Sequence, residues 1–203
     1  MMAVSTKTER RNRDSRASRD ASAASGGADR AQRPLTIELR SVHYSGRFSE
    51  ETACFDAVIW IDGKRAGMVR NDGRGGCHFY EPHGLQDRLE AHARTQPPVE
   101  TQMDDPENPG QKRKLAMDAD LLISGLLDDW LIRKDIKRDT AKKIVFERDG
   151  KLLEIVPKAG QLALWLQESN REKLLATTRT TADLIVNLMP MEKAVALYRR
   201  HAQ

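Results

Sequence analysis

Residues 60–80 read WIDGKRAGMVRNDGRGGCHFY, and the Asp62-Gly63 pair near their start decides the fold class. A two-residue hairpin of type I′ needs positive φ at both central positions, and Asp-Gly is one of the few dipeptides that adopts it with little strain. Before the pair, Phe55, Ala57, Ile59 and Ile61 alternate with Cys54, Asp56, Val58 and Trp60, the period of a strand over Ala53 to Asp62 with one buried face. After it the chain returns along Arg65 to Arg70. Upstream, Leu35, Ile37 and Leu39 alternate with Thr36, Glu38 and Arg40, a strand that begins after Pro34, runs to Tyr44 and is ended by Ser45-Gly46. Asn71-Asp72-Gly73 and Gly75-Gly76 form a long turn before Cys77 to Tyr80, read as a short fourth strand. The expected N-terminal architecture is an antiparallel β-meander.

Downstream, Pro82 and Gly84 precede a short helix ending near Arg94, whose Leu85, Leu89, His92 and Ala93 share an inner face. Residues 95–114 carry Pro97, Pro98, Pro106, Pro109 and Gly110 with Asp104, Asp105 and Glu107, which reads as an irregular acidic connector. Ala116 to Arg138 is the strongest helical pattern. Its acids Asp118 and Asp120 lie in the first turns and its bases Arg133, Lys134, Lys137 and Arg138 near the end, as the helix dipole favours, so these acids are expected to be surface residues. Asp149-Gly150 predicts a second hairpin between Ile144–Phe146 and Leu152–Val156. Gln161 to Glu168 and Arg171 to Ala176 are expected helical, Ala182 to Met189 buried, and Pro190 opens a terminal helix carrying Met191, Ala194, Val195 and Tyr198. The predicted class is α+β: a meander with Asp-Gly hairpins packed against helices, a helical C-terminal half and an N-terminal tail. The domain reading is one body over 34–203, β-rich at 34–94, with the connector at 95–114 and a helical part with a hairpin at 115–203.

The tail, residues 1–33, is Ser, Ala, Arg and Asp with Val4 as its single branched aliphatic, too little apolar surface to offset the entropy of ordering. It is expected to be disordered. The net charge of +4 suggests nucleic acid until it is located: the tail holds eight basic and four acidic residues, and residues 34–203 hold 26 of each. A neutral body has no global attraction for phosphate. No apolar run approaches the roughly 20 residues that span a bilayer. No apolar segment of signal-peptide length follows the basic N-terminus, so the expected compartment is cytoplasmic. Cys54 and Cys77 are too few for a disulfide scaffold and are expected as free thiols.

The reactive residue types gather at 70–80. Successive glycines in DGRGG can aim backbone N–H groups at an anion, but Gly76 is followed by Cys77 and His78, with none of the Lys-Ser/Thr pair of a P-loop. Beside the plain reading of a wide turn stands a recognition loop built from Arg70, Asn71, Asp72, Arg74, His78, Phe79 and Tyr80, in which arginines supply charge and aromatics supply stacking surface. Cys77, His78 and His83, with His43 or Cys54, lack the paired spacing of zinc ligands, so no metal and no cofactor is expected. Cys77 and His78, adjacent on a strand, point to opposite faces and do not make a nucleophile–base pair. Arg133, Lys134, Lys137, Arg138, Lys142 and Lys143 are the densest basic run, a phosphate-gripping candidate whose plainer reading is a dipole-complementing helix end.

DGKRAGMVRNDGRGG at 62–76, LLDDWLIRKDIK at 126–137 and NLMPMEKAVALYR at 187–199 resemble segments of uncharacterised small proteins encoded by bacteriophages and plasmids. The resemblance covers most of residues 34–203 and implies a context, not an activity: accessory proteins of mobile elements often bind host machinery or nucleic acid. The expected function is a non-enzymatic binding protein that engages a host protein or nucleoprotein complex, for example as a defence inhibitor. The alternatives are a nucleic-acid-binding accessory protein using the tail, the basic run and Phe79-Tyr80, and an enzyme with its site at the glycine-rich loop.

Overall fold

A computed structural model describes residues 35–201. The expected disordered tail at 1–33 lies outside the described residues. The chain from Thr36 onward clusters as one compact unit.

Strands β1 (Ile37–Tyr44), β2 (Cys54–Ile61), β3 (Lys64–Asp72) and β4 (Phe79–Glu81) form an antiparallel sheet in sequence order, the meander that Asp62-Gly63 implies. Ile61 pairs with Lys64 across that turn, with φ of +50° at Asp62 and +72° at Gly63. The Asp62 carboxylate also accepts the Thr36 N–H at 3.0 Å, tying the start of β1 to the turn. Bulges interrupt both long pairings, after Arg40 in β1 and between Ile59 and Trp60 opposite β3. Between them the alternation holds. Phe55, Ala57, Ile59 and Ile61 are buried while Cys54, Asp56, Val58 and Trp60 lie on the other, half-open face.

The inner face is covered by α1 (Gly84–Ala93) and α2 (Ala119–Thr140); α1 packs on β4 and α2, and α2 also reaches β1. Leu85, Leu89, Ala93, Ile123 and Leu127 are buried positions of these two helices, recurring at helical spacing. Asp118 caps α2 by accepting the Leu121 N–H at 2.7 Å, so the helix begins three residues later than its apolar pattern suggests.

The connector is the clearest departure from expectation. Rather than irregular chain, residues 95–114 hold most of a hairpin of β5 (Val99–Asp104) and β6 (Lys112–Leu115), closed by Asp105, whose side chain accepts from Glu107 N–H and Asn108 Nδ2. Nearly every residue of the hairpin is exposed. A strand pair with no buried face shows no apolar alternation, which hides it from a hydrophobicity reading.

The C-terminal half is built around β7 (Ile144–Arg148) and β8 (Lys151–Ile155), the second Asp-Gly hairpin, with α3 (Leu162–Trp165), α4 (Arg171–Thr178) and α5 (Met191–His201). Val145 packs with Ile136, Val186, Ala194, Val195 and Leu197, while Ile144 and Phe146 pack with Leu174 and Ile185. Asn187 staples the region together: its Oδ1 accepts the Val145 N–H at 2.9 Å and its Nδ2 donates to the Thr140 and Lys143 carbonyls at 3.2 and 2.8 Å.

Candidate functional site

The outer face of the four-stranded sheet carries a transverse row. His43 of β1 stands opposite Asp56 of β2, Asp56 opposite Arg70 of β3, and Arg70 opposite Phe79 of β4, so four side chains from four strands line up across the sheet. His43 Nδ1 lies 2.9 Å from Asp56 Oδ2, and the Arg70 guanidinium sits 5.4 Å from the centroid of the Phe79 ring. The row forms one wall of an open pocket of about 470 Å³, whose lining also includes Tyr44, Cys54, Phe55 and Asp72. Phe79 is 58% exposed, well above what a core aromatic shows. Behind the row, Arg40, Val58, Met68 and Glu81 form the next line, and Arg40 lies 4.1 Å over the Trp60 ring. The face therefore interleaves apolar surface with both signs of charge.

Directly beneath the row runs a polar network that the sequence did not reveal. Asn71 is 3% exposed and uses its whole amide. Its Oδ1 accepts from Thr52 Oγ1 and from the Gly73 N–H, both at 2.8 Å, and its Nδ2 faces the Gly76 carbonyl at 3.3 Å and His78 Nδ1 at 3.1 Å. With two donors fixing Oδ1, the amide orientation is determined: Nδ2 donates to His78 Nδ1, so the imidazole proton sits on Nε2 and donates to Ser124 Oγ at 3.1 Å. The His78 N–H donates to Asp120 Oδ2 at 3.2 Å and Tyr80 OH to Asp120 Oδ1 at 2.7 Å. The ring of His78 meets Phe55 edge-on at 5.2 Å. His78 and Tyr80 thus anchor β4 to α2, and Phe79 between them is turned outward by the alternation of the strand.

The electrostatics follow from this burial. Desolvation holds the His78 imidazole below its usual range, outweighing the pull of the Asp120 carboxylate in the other direction. Burial, then the hydrogen bond to Asp120, pushes the Tyr80 phenol far up. Asp120, as hydrogen-bond acceptor and as charge, raises the Cys77 thiol. A raised thiol is a poor nucleophile at neutral pH. Ser124, His78 and Asn71 have the composition of a hydrolytic triad with the polarity reversed. A ring that already donates from Nε2 cannot take the serine proton.

The residues expected at a recognition loop divide. Arg70, Asp72, Arg74 and Phe79 are exposed, whereas Asn71 is buried and His78 and Tyr80 are half-buried in the network. His43 and Asp56 complete the exposed row, and Asp120, Ser124 and Thr52 complete the network. Asp120, expected at the surface, instead holds β4, which corrects that reading. Of the basic run, Arg133 pairs with Glu192 at 2.5 Å, Arg138 with Asp135 at 2.8 Å and Lys143 with Glu154 at 2.6 Å, while Lys134 lies over Trp130 at 5.0 Å. Lys137 and Lys142 are exposed. Cys54 and Cys77 are free thiols, and among the described residues no group of His, Cys, Asp or Glu is placed to hold a metal. No helix among the described residues is long and apolar enough to cross a membrane.

No family model, no curated protein and no solved structure matches this chain.

Proposed function

We propose that this chain is a non-enzymatic binding protein that engages a partner protein through the outer face of its sheet, centred on the His43–Asp56–Arg70–Phe79 row. The observation that carries the reading is that row: an exposed aromatic and a guanidinium held side by side, beside an open pocket, on paired strands rather than on a loop tip. Arginine and aromatic residues are the side chains that most often dominate protein interfaces. The resemblance of residues 62–76, 126–137 and 187–199 to phage- and plasmid-encoded segments supports a partner in a host cell, where occupying a surface of a host complex would suffice for activity.

Charge favours protein over nucleic acid. Glu38, Asp56, Asp72 and Glu81 share the face with Arg40, Arg65 and Arg70, and carboxylates at this density repel a phosphate backbone. Half of the helix-end basic run is already paired with acids of the same chain. Capture from host cells with the tagged full chain tests the reading. The double variant Arg70→Glu, Phe79→Ala is expected to weaken recovery of a specific partner by roughly thirtyfold, about 2 kcal/mol, with its melting temperature preserved. Equal recovery by wild type and variant, or recovery of nucleic acid alone in a salt-dependent manner, would overturn it.

A further inference from the structure

The network under the row contains one titratable ring whose neutral form is required by its neighbours. Asn71 cannot turn its amide over to meet a protonated His78, because the Gly73 N–H would then face an NH₂ group and the Gly76 carbonyl would face Oδ1. A proton on His78 Nδ1 therefore sets donor against donor at 3.1 Å. Asn71 is also what closes the loop: besides the Gly73 N–H it faces the Gly76 carbonyl, and Gly75 N–H is held by the same Thr52 hydroxyl. Loop and row share their residues, since Arg70 and Phe79 flank it on β3 and β4.

We propose that the recognition face is gated by pH: protonation of His78 breaks its bond to Asn71, releases the Gly73–Cys77 loop and loosens the edge of the sheet that presents Phe79. This rests on the reading of the row as the binding site and adds its regulation. The groups facing the ring are few. From α2 come Asp120, at the His78 N–H, Ser124, at Nε2, and the more distant Asp118; from the β4 side Tyr80 and Cys77; from β2 the edge of Phe55; from β3 Asn71. The two carboxylates favour the charged ring, yet neither is a hydrogen-bond partner of Nδ1: the Asp120 oxygens are taken up by the His78 N–H and the Tyr80 hydroxyl. Burial disfavours the charge, so the folded protein holds a proton here less readily than the unfolded chain. The sign is then fixed: the contribution of neutral His78 is complete above the unfolded value of 6.5 and is lost as pH falls through the lower folded value.

The test is a titration of the free full-length protein from pH 8 to pH 5, following histidine ring nitrogens by NMR and the protection factors of the Gly73 to Gly76 amides by hydrogen exchange. The expected result is a His78 proton on Nε2 at pH 8, a midpoint below 6.5, and a loop protection that falls at least tenfold with the same midpoint. Asn71→Asp supplies an acceptor for Nδ1–H, and should raise the midpoint and make protonation protect the loop instead. A proton on Nδ1 at pH 8, or a His78 titration with constant loop protection, would overturn the gating. Because no partner is present, that failure leaves the binding face itself untouched, whereas loss of the face would be seen in the capture experiment alone.

Discussion

Gly73→Ala is expected to destabilise the protein by about 4 kcal/mol, lowering the melting temperature by roughly 8–16 °C in a chain of this size. Two costs combine. Gly73 has φ of +85°, where a side chain is strained, and a Cβ there would stand 2.1 Å from the Phe48 carbonyl oxygen and 2.8 Å from Cys54 Cβ. The contact cannot be relieved locally, because the Gly73 carbonyl accepts from the N–H groups of Glu50, Glu51 and Thr52 while its own N–H is bound to Asn71. Gly76 is the internal control: its φ is also +85°, but a Cβ there meets nothing within 4 Å. Gly76→Ala should cost only the backbone strain, roughly 1–2 kcal/mol. Thermal or urea unfolding of both variants measures the difference, which isolates the packing of Gly73 against the Phe48 segment. Equal effects would mean that the loop does not close on that segment.

Asn71→Ala is expected to cost about 3 kcal/mol, for a different reason. It removes both acceptor bonds to Oδ1 and both donor contacts from Nδ2, leaving the buried Gly73 N–H without its partner. It also removes the group that defines the His78 tautomer. The variant should therefore unfold earlier in urea and, unlike Arg70→Glu with Phe79→Ala, bind partner poorly through a disordered loop rather than a missing contact. Unfolding curves read beside hydrogen exchange at residues 72–78 distinguish these causes. A fully protected loop in Asn71→Ala would remove Asn71 from its assigned place.

The contrast between these residues marks how far the fold was legible from the sequence. The meander was written in three local signals: alternation in β1 and β2, and Asp-Gly where two positive φ values are needed. In the structure the alternation along β4 turns Phe79 outward and His78 and Tyr80 inward, a division that the expected recognition loop, which held all three, did not contain. What those inward residues meet was not legible. Asp120 lies 40 positions beyond Tyr80, on a helix whose first-turn acids already had a sufficient explanation in the helix dipole. The row across the sheet was hidden for a related reason: alternation assigns Asp56 to a face, but only the register, set by two bulges, puts it opposite His43 and Arg70. The β5–β6 hairpin escaped because its proline-bounded, charged strands bury neither face.

The glycine-rich stretch at 73–76 consequently takes on a different meaning. It is less a surface offered to a ligand than the closure of a network that holds β3 and β4 in place, and the proposed contact surface lies on the strands beside it. The most direct measurement of that claim is site-specific photo-crosslinking in host cells, with a benzoylphenylalanine at position 79 and, for comparison, at position 164, where Leu164 is 52% exposed on α3, outside the sheet. The row as binding site predicts one discrete protein adduct from position 79, weakened by Arg70→Glu, and none from position 164. An adduct formed equally from both positions, or from 164 alone, would contradict it.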